Sequence, residues 1–404
     1  MSKKITKTAL PKLRFPEFLG KEEWKEKKLG ELTYSISERN KKDKKLPIYS
    51  ISNINGFVPQ SSQFEGVDSH ERGYDITLYK IVDKNTFAYN PARINVGSIG
   101  YSGELSEVLI SSLYVCFKTD DNLDDKFLWN ILKSDKFNQA VNNTVEGGIR
   151  SYLFYENLAT IKIEVPFLPE QQKIAATLSS LDDLLTAQSA KLEALQDHKR
   201  GLMQGLFPAA GETVPKRRFP EFRDAGEWEE KKLGDICKMQ AGKFVNASNI
   251  YAESHESLFP CYGGNGLRGY TKTFTHKGKY SLIGRQGALC GNVMLAAGKF
   301  HATEHAVVTT PNSKIDTDWF YYLLVILNLN QYATGAAQPG LAVQNLEKVE
   351  IRIPQTETEQ QKIANCLSSL DNLIIAQSQK LEALKRHKKG LMQALFPAAS
   401  EQSA

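Results

Sequence analysis

Two stretches of this chain are written twice, so its fold must build one frame two times over. Residues 12–32 read KLRFPEFLGKEEWKEKKLGEL, and residues 216–236 read KRRFPEFRDAGEWEEKKLGDI. The pairs Phe15/Phe219, Pro16/Pro220, Phe18/Phe222, Trp24/Trp228, Lys27/Lys231, Leu29/Leu233 and Gly30/Gly234 share one offset. A second block, EQQKIAATLSSLDDLLTAQSAKLEALQDHKRGLMQGLFPAAGE, starts at Glu170, and its copy, EQQKIANCLSSLDNLIIAQSQKLEALKRHKKGLMQALFPAASE, starts at Glu359. The stretches between the paired blocks resemble each other only faintly. A duplication without functional asymmetry would leave frame and insert equally alike. Like frames around unlike inserts imply one docking task done twice and two different things being read.

Each EQQKIA block carries helix signals. Thr356 and Glu359 have the spacing of a capping box, and Pro169 suits the first helical position. Spacings of four and three then mark a heptad seam. In the first helix it runs through Ile174, Leu181, Gln188, Leu195 and Leu202, with Leu178, Leu185, Leu192, Lys199 and Leu206 between them. The second repeats it as Ile363, Leu370, Gln377, Leu384 and Leu391, with Leu367, Ile374, Leu381, Lys388 and Leu395. Two amphipathic helices lying separately on their own domains would each need a broader apolar face. A narrow seam with matched polar breaks predicts that the two helices pair, the Gln and Lys giving up stability to set register. Equivalent units related by a two-fold would pack the helices antiparallel, with the variable segments at opposite ends. A helix of roughly 38 residues rises about 57 Å, comparable to some 17 base pairs at ~3.4 Å each. The linkers are cyclic in the same sense: FPAAGETVPKRRFPEF joins the halves, and FPAASEQSA followed by MSKKITKTALPKLRFPEF would nearly recreate it.

A length of 404 residues calls for two or more domains. The charge balance of 51 basic to 46 acidic residues permits a nucleic-acid partner without demanding one. Cys116, Cys237, Cys261, Cys290 and Cys366 form no C-x-x-C pair and read as reduced thiols rather than a disulfide framework or zinc site. MSKKITKTALPKL has no apolar core of a signal peptide. The apolar run from Tyr321, YYLLVILNLNQY, is too short to span a bilayer. A soluble cytoplasmic protein with no membrane partner is expected.

Together these features resemble the specificity subunit of type I restriction-modification systems. The residues that carry the resemblance are the W-x-x-K-K-L-G-[ED] lead-ins at Trp24 and Trp228, the I-x-[VI]-P run-ins at Pro166 and Pro354, the two EQQKIA helices and the twofold repeat. The resemblance covers nearly the whole chain. It implies an α+β protein of bacterial or archaeal origin, with two mixed α/β target-recognition domains separated by two long antiparallel coiled-coil helices. Residues 1–166 would form the first recognition domain, 167–207 the first spacer helix, 208–215 a linker, 216–354 the second recognition domain, 355–396 the second helix and 397–404 a tail. Each domain would read one half of a split double-stranded DNA site. Two methyltransferase subunits would dock on the helices and neighbouring repeated segments, joined by two motor-nuclease subunits. The resemblance assigns no cofactor to this chain; S-adenosylmethionine, ATP and Mg2+ are expected on the partners.

Candidate reading residues are polar side chains in Gly- and Asn-punctuated segments, since Asn suits adenine, Arg suits guanine and glycines admit close approach. The first variable segment offers Asn53, Asn55, Asn90, Arg93, Asn95, Ser98, Tyr101, Arg150 and Ser151. The second offers Tyr262, Asn265, Arg268, Tyr270, Arg285, Gln286, His301, His305 and Gln338. For any one Asn beside Gly, turn formation is the stronger reading; the expectation concerns the set. His301 and His305 lie four apart in a strand-like stretch, poor geometry for a shared metal, and no metal site is expected. The residue types of KKDKK (41–45), KRR (216–218) and KRHKK (385–389) leave open whether they meet phosphate, an acidic partner or solvent.

Catalytic signatures are missing. There is no G-x-x-x-x-G-K-[ST] loop. The nearest approach to the Asn-Pro-Pro-aromatic motif of adenine methyltransferases is Asn90-Pro91-Ala92-Arg93, and Gly97, Gly100 and Gly103 have the wrong spacing for G-x-G-x-x-G. A self-contained methyltransferase or nuclease is therefore disfavoured, and catalysis is expected from partners. A coiled-coil scaffold whose variable domains bind proteins is the remaining alternative; sequence-selective protection of a split DNA site would exclude it.

Overall fold

The computed structural model describes residues 10–63, 66–144, 152–335 and 339–397. The chain divides into two compact units, Met1–Ala187 with Glu382–Ala404, and Gln188–Leu381. The division falls inside both long helices, Leu168–Leu206 and Glu357–Leu395. Each unit thus holds one variable segment, the start of one long helix and the end of the other. Among the described residues no helix is long and apolar enough to cross a membrane.

In both units the lead-in motif pairs with its own run-in. Lys25–Lys28 lies antiparallel to Lys162–Val165 in the first unit, and Glu229–Lys232 lies antiparallel to Glu350–Ile353 in the second. The ends of each variable segment are thereby closed on one another just before the long helix starts.

In the second unit the segment folds as a six-stranded sheet. Its order is Cys237–Ala241, Ala306–Pro311, His276–Gly284, Val293–Ala302, Phe259–Gly263 and Gly266–Thr271. The backbone is the long antiparallel hairpin of His276–Gly284 with Val293–Ala302, and the last two strands join it through a short parallel pairing at Cys261 and Tyr262. The first unit uses the same plan with that hairpin broken. Lys80–Val82 and Phe87–Tyr89 stand for one long strand, Ile99–Tyr101 and Val108–Ile110 for the other. The break lies at Asn85, which takes a left-handed conformation (φ 58°), donates its N–H to the Gly103 carbonyl at 2.9 Å and accepts the Tyr101 hydroxyl at 2.7 Å. Two four-stranded sheets result. One orders Thr33–Ile36, Val115–Thr119, Phe87–Tyr89 and Ile99–Tyr101; the other orders Gly56–Pro59, Ile48–Ser52, Val108–Ile110 and Lys80–Val82.

The long helices run antiparallel within each unit. In the first, Ile174 and Leu178 share a core with Leu395, and Asp182 pairs with Lys388. In the second, Leu206 shares a core with Ile363 and Leu367, and Lys199 pairs with Asp371 at 2.6 Å. Burial follows the heptads. Leu181, Leu185, Gln188, Leu192, Leu195 and Lys199 are partly buried, and every residue between them is exposed. Leu370, Ile374, Gln377, Leu381, Leu384 and Lys388 are likewise shielded, while Leu202 and Leu391 pack at the helix ends. Gln377 donates to the Gln188 backbone and side-chain oxygens at 2.9 and 2.8 Å. The polar positions of the seam thus meet polar partners in the second unit, which gives register a definite chemistry.

The start of the second long helix departs from the expected capping box. Thr356 does accept the Glu359 N–H at 3.4 Å. The Glu359 carboxylate, however, turns inward and takes both Arg218 nitrogens, at 2.7 and 2.8 Å, and the Trp228 indole N–H at 3.4 Å. Glu170 does the same with Arg14 at 2.8 and 2.7 Å and Trp24 at 3.3 Å. Pro169 sits second in its helix, after Leu168. The next residue is also committed. The Gln171 side chain accepts the Asp124 N–H at 2.9 Å, and that of Gln360 accepts the Asp316 N–H at 2.8 Å, fastening the N-cap of a short helix in each recognition segment.

Removing one partner of a buried, bidentate ion pair leaves the other uncompensated. Glu359→Ala is expected to cost roughly 3–5 kcal/mol in the second unit. A fall in the urea midpoint of the tryptophan-fluorescence transition, with the slope unchanged, is the measurement that checks it.

Candidate nucleic-acid interface

In the first unit two loops meet. The hairpin after Ile48–Ser52 turns through Asn53, Ile54 and Asn55, and the Ser52 hydroxyl accepts the N–H groups of Ile54 and Asn55 at 3.2 and 3.3 Å. The second loop runs from Asn90 to Ser98. Asn90 uses its side-chain oxygen to accept the Ala92 N–H at 3.0 Å, so it is a turn former first. Ser98 donates its hydroxyl to the Ile51 carbonyl at 3.2 Å, and a Cβ at Gly97 would lie 3.3 Å from the Asn53 carbonyl oxygen. The loops are therefore braced backbone to backbone. They leave Asn53, Asn55, Arg93 and Asn95 exposed together. The Leu153 N–H donates to the Pro91 carbonyl at 3.0 Å and brings a third segment alongside. Arg150 and Ser151, which precede it, lie outside the described residues.

The second unit assembles the corresponding loops from different residues. The tip at Gly263–Gly266, the loop Gly284–Asn292, the turn Thr303–His305 and the bridged residues Thr334 and Gly340 converge. A Cβ at Gly284 would lie 2.0 Å from the Gly264 carbonyl oxygen, so no other residue fits there without displacing the tip. Arg285 donates its N–H to the His305 carbonyl and accepts that of Leu341, both at 2.9 Å, while Gly287 donates to Pro339 at 2.9 Å. Asn292, which sequence reasoning did not single out, donates to the Asn265 side-chain oxygen at 3.2 Å. Asn265, Arg268 and Gln286 are exposed, with Arg285 and His305 half-buried beside them. Gln338 lies outside the described residues.

Several expected readers belong to the interior instead. Ser98 is 2% exposed and spent on Ile51. His301 is 5% exposed, with one ring nitrogen 3.3 Å from the Thr273 hydroxyl and the other 3.1 Å from the Lys243 carbonyl. Neither has a polar group left for a base. Tyr101 stacks on Phe87 at 4.8 Å, and Tyr262 packs edge-on against Phe300 at 5.7 Å. Burial pushes both phenols above their ordinary pKa, so they stay neutral rings. Tyr270 is half-buried and locked by paired backbone bonds to Tyr251 at 2.8 Å.

The basic runs divide by role. Arg39, Lys41, Lys42 and Lys44 border an open cavity of about 540 Å³. Of KRR, Arg218 forms the buried bridge to Glu359, and Arg217 donates its N–H to the Gly205 carbonyl at 2.8 Å. Of KRHKK, Lys388 pairs with Asp182 and Lys385 with Glu382.

A family model described as the type I restriction modification DNA specificity domain matches residues 21–196 and 225–386. The chain belongs to that family. The two matched segments each contain one of the loop clusters and the start of the long helix that follows it. The Escherichia coli type I restriction enzyme EcoprrI specificity subunit is 49% identical over 151 residues, a match that spans 37% of this chain and 37% of that protein. The MjaVIII specificity subunit of Methanocaldococcus jannaschii is 24% identical over 420 residues, covering 95% of this chain and 93% of that one. In fold, the chain is similar to the crystal structure of the S subunit from M. genitalium, with a TM-score of 0.66 at 17% identity over 97% of this chain and all of that one.

The loop contacts generate a paired prediction. Gly284→Ala, with no space for its methyl group, is expected to lower stability by about 1–3 kcal/mol. Gly201→Ala, at an exposed helical site with nothing within 4 Å, is expected to raise it by about 0.5–1 kcal/mol. Thermal melts of the two variants beside the parent should move in opposite directions.

Proposed function

We propose that this specificity subunit reads a bipartite double-stranded DNA target, one half with each loop cluster. The observation that carries the proposal is the repeated construction itself. Two units of one plan place exposed Asn and Arg side chains on braced loops, while the residues in those loops differ. Asn53, Asn55 and Asn265 suit adenine, and Arg93, Arg268 and Arg285 suit guanine. Gln286 and Asn95 complete the exposed polar set, with the half-buried His305 beside them. Loops fixed through their backbones carry little ordering cost on binding, which favours specific contacts.

In this reading the paired helices set the gap between the half-sites and, with the repeated segments beside them, dock two methyltransferase subunits. Two motor-nuclease subunits complete the assembly. The chain itself is non-catalytic, works in the cytoplasm, and leaves S-adenosylmethionine, ATP and Mg2+ to its partners. Its many buried polar commitments, such as those of Glu170 and His301, are consistent with scaffolding rather than chemistry.

Incubation with DNA and S-adenosylmethionine, with and without methyltransferase subunits, tests the division of labour. Methyl transfer is expected only with the subunits present; transfer by the lone chain would overturn it. A seven-residue insertion in both helices adds about 10 Å of rise and should widen the required gap by about three base pairs. Methylome sequencing reads the gap directly, and an unchanged spacing means that the helices are no ruler. Exchange of residues 33–162 for those of another family member should alter one half-site alone.

A further inference from the structure

The two loop clusters differ in one respect that the polar residues do not reveal. Ile54, at the tip of the first hairpin, is 90% exposed. Val96, next to the Gly97 that abuts the tip, is 55% exposed. A turn between two strands normally carries polar residues, and a branched apolar side chain held in water gains nothing for folding. This one is held there firmly. The Ser52 hydroxyl takes both N–H groups that follow the bend, Gly56 has the left-handed φ of 62° that closes it, and Ser98 anchors the neighbouring strand. Ile54 therefore cannot fold back onto the sheet without breaking these bonds. The corresponding tip of the second unit, Gly264-Asn265, is one residue shorter and has no apolar side chain between the paired Gly263 and Gly266, although Leu267 just beyond it and Leu289 in the neighbouring loop are 52% and 50% exposed.

We infer that Ile54 is a specificity-determining residue of the first half-site, making an apolar contact with the 5-methyl group of a thymine in the major groove. The inference rests on the half-site reading above. A two-stranded ribbon fits the major groove, where thymine alone among the bases presents a methyl group. Asn53 and Asn55 flank Ile54, and Asn in that groove pairs with adenine. The sequence Asn-Ile-Asn thus offers two adenine readers around one methyl reader. The first half-site then contains an A·T step read by shape and methyl contact, and the second half-site does not depend on any such methyl at its equivalent tip.

The test uses the full chain assembled with its methyltransferase subunits and a duplex carrying its own target, mapped from the methylated adenines. Each thymine of the target is replaced singly by deoxyuridine, which removes only the methyl group. For the parent, one position in the half-site assigned to the first unit by exchange of residues 33–162 should weaken binding about fourfold. That is the ~0.8 kcal/mol of one buried methylene-sized group at ~1.4 kcal/mol per tenfold. Ile54→Ala should weaken binding to the thymine duplex by at least as much and abolish the effect of that deoxyuridine, leaving the second half-site unchanged. A first half-site without thymine, the same deoxyuridine effect in Ile54→Ala, or a loss that follows subunit assembly or DNA bending instead of the methyl group overturns the assignment. If the unmodified complex methylates without target selectivity, the half-site reading itself falls. Selective methylation with no methyl-dependent position removes only the role of Ile54.

Discussion

The structure depends on a carboxylate at the start of each long helix. Glu170 and Glu359 are each 1% exposed, and each is held by two nitrogens of one arginine and the indole of one tryptophan. Burying a carboxylate is costly unless its lone pairs are filled, and here a bidentate guanidinium fills them. The arginine comes from the segment before the recognition fold, the tryptophan from the residue just before its lead-in strand, and the acid from the helix after it. One ion pair therefore ties the beginning of each variable segment to its end. The adjacent glutamine ties in its middle as well, by capping the helix that begins at Asp125 or Thr317.

Fastening a variable segment at its base leaves the residues displayed on its far loops outside that clasp. The six-stranded sheet of the second unit and the two four-stranded sheets of the first are one topology, with and without a break at Asn85. Both bring together a hairpin tip, a long hairpin loop and a later stretch of chain. Those loops are braced mostly through backbone groups and close glycines, with the Ser98 hydroxyl and the Asn292–Asn265 bond added to them. Exposed residues can then change from Asn53, Arg93 and Asn95 to Arg268 and Gln286 without disturbing the brace.

The helical pair balances the same requirements differently. A seam of leucines alone would be more stable but indifferent to register. Gln377 bonded to Gln188, and Lys199 bonded to Asp371, select one alignment. In the second unit Tyr322 adds a third bond, donating its hydroxyl to Asp371 at 2.6 Å, so the helix alignment is coupled to the recognition fold.

What could be read from the residues alone is what is local or repeated. The heptads of the long helices, the cap at Thr356 and the doubled frame depend on neighbours three to seven positions away or on comparison of the chain with itself. The exposed loop asparagines and arginines were legible as a set, because turn-forming residues mark where strands end. Tertiary structure alone decided the rest. Strand partners are set by pairings dozens of residues apart, so nothing near Ser98 or His301 in sequence announces that Ile51, Thr273 and Lys243 will consume their hydrogen bonds. Arg218 looked like one of a basic run and became a buried clasp because the fold brings Glu359, 141 positions away, to 2.7 Å from its guanidinium. Nothing in the sequence singles out Ile54, and only a bend locked by Ser52 and Gly56 places it in solvent, since exposure follows from how the whole sheet closes and not from the hydrophobicity of the residue.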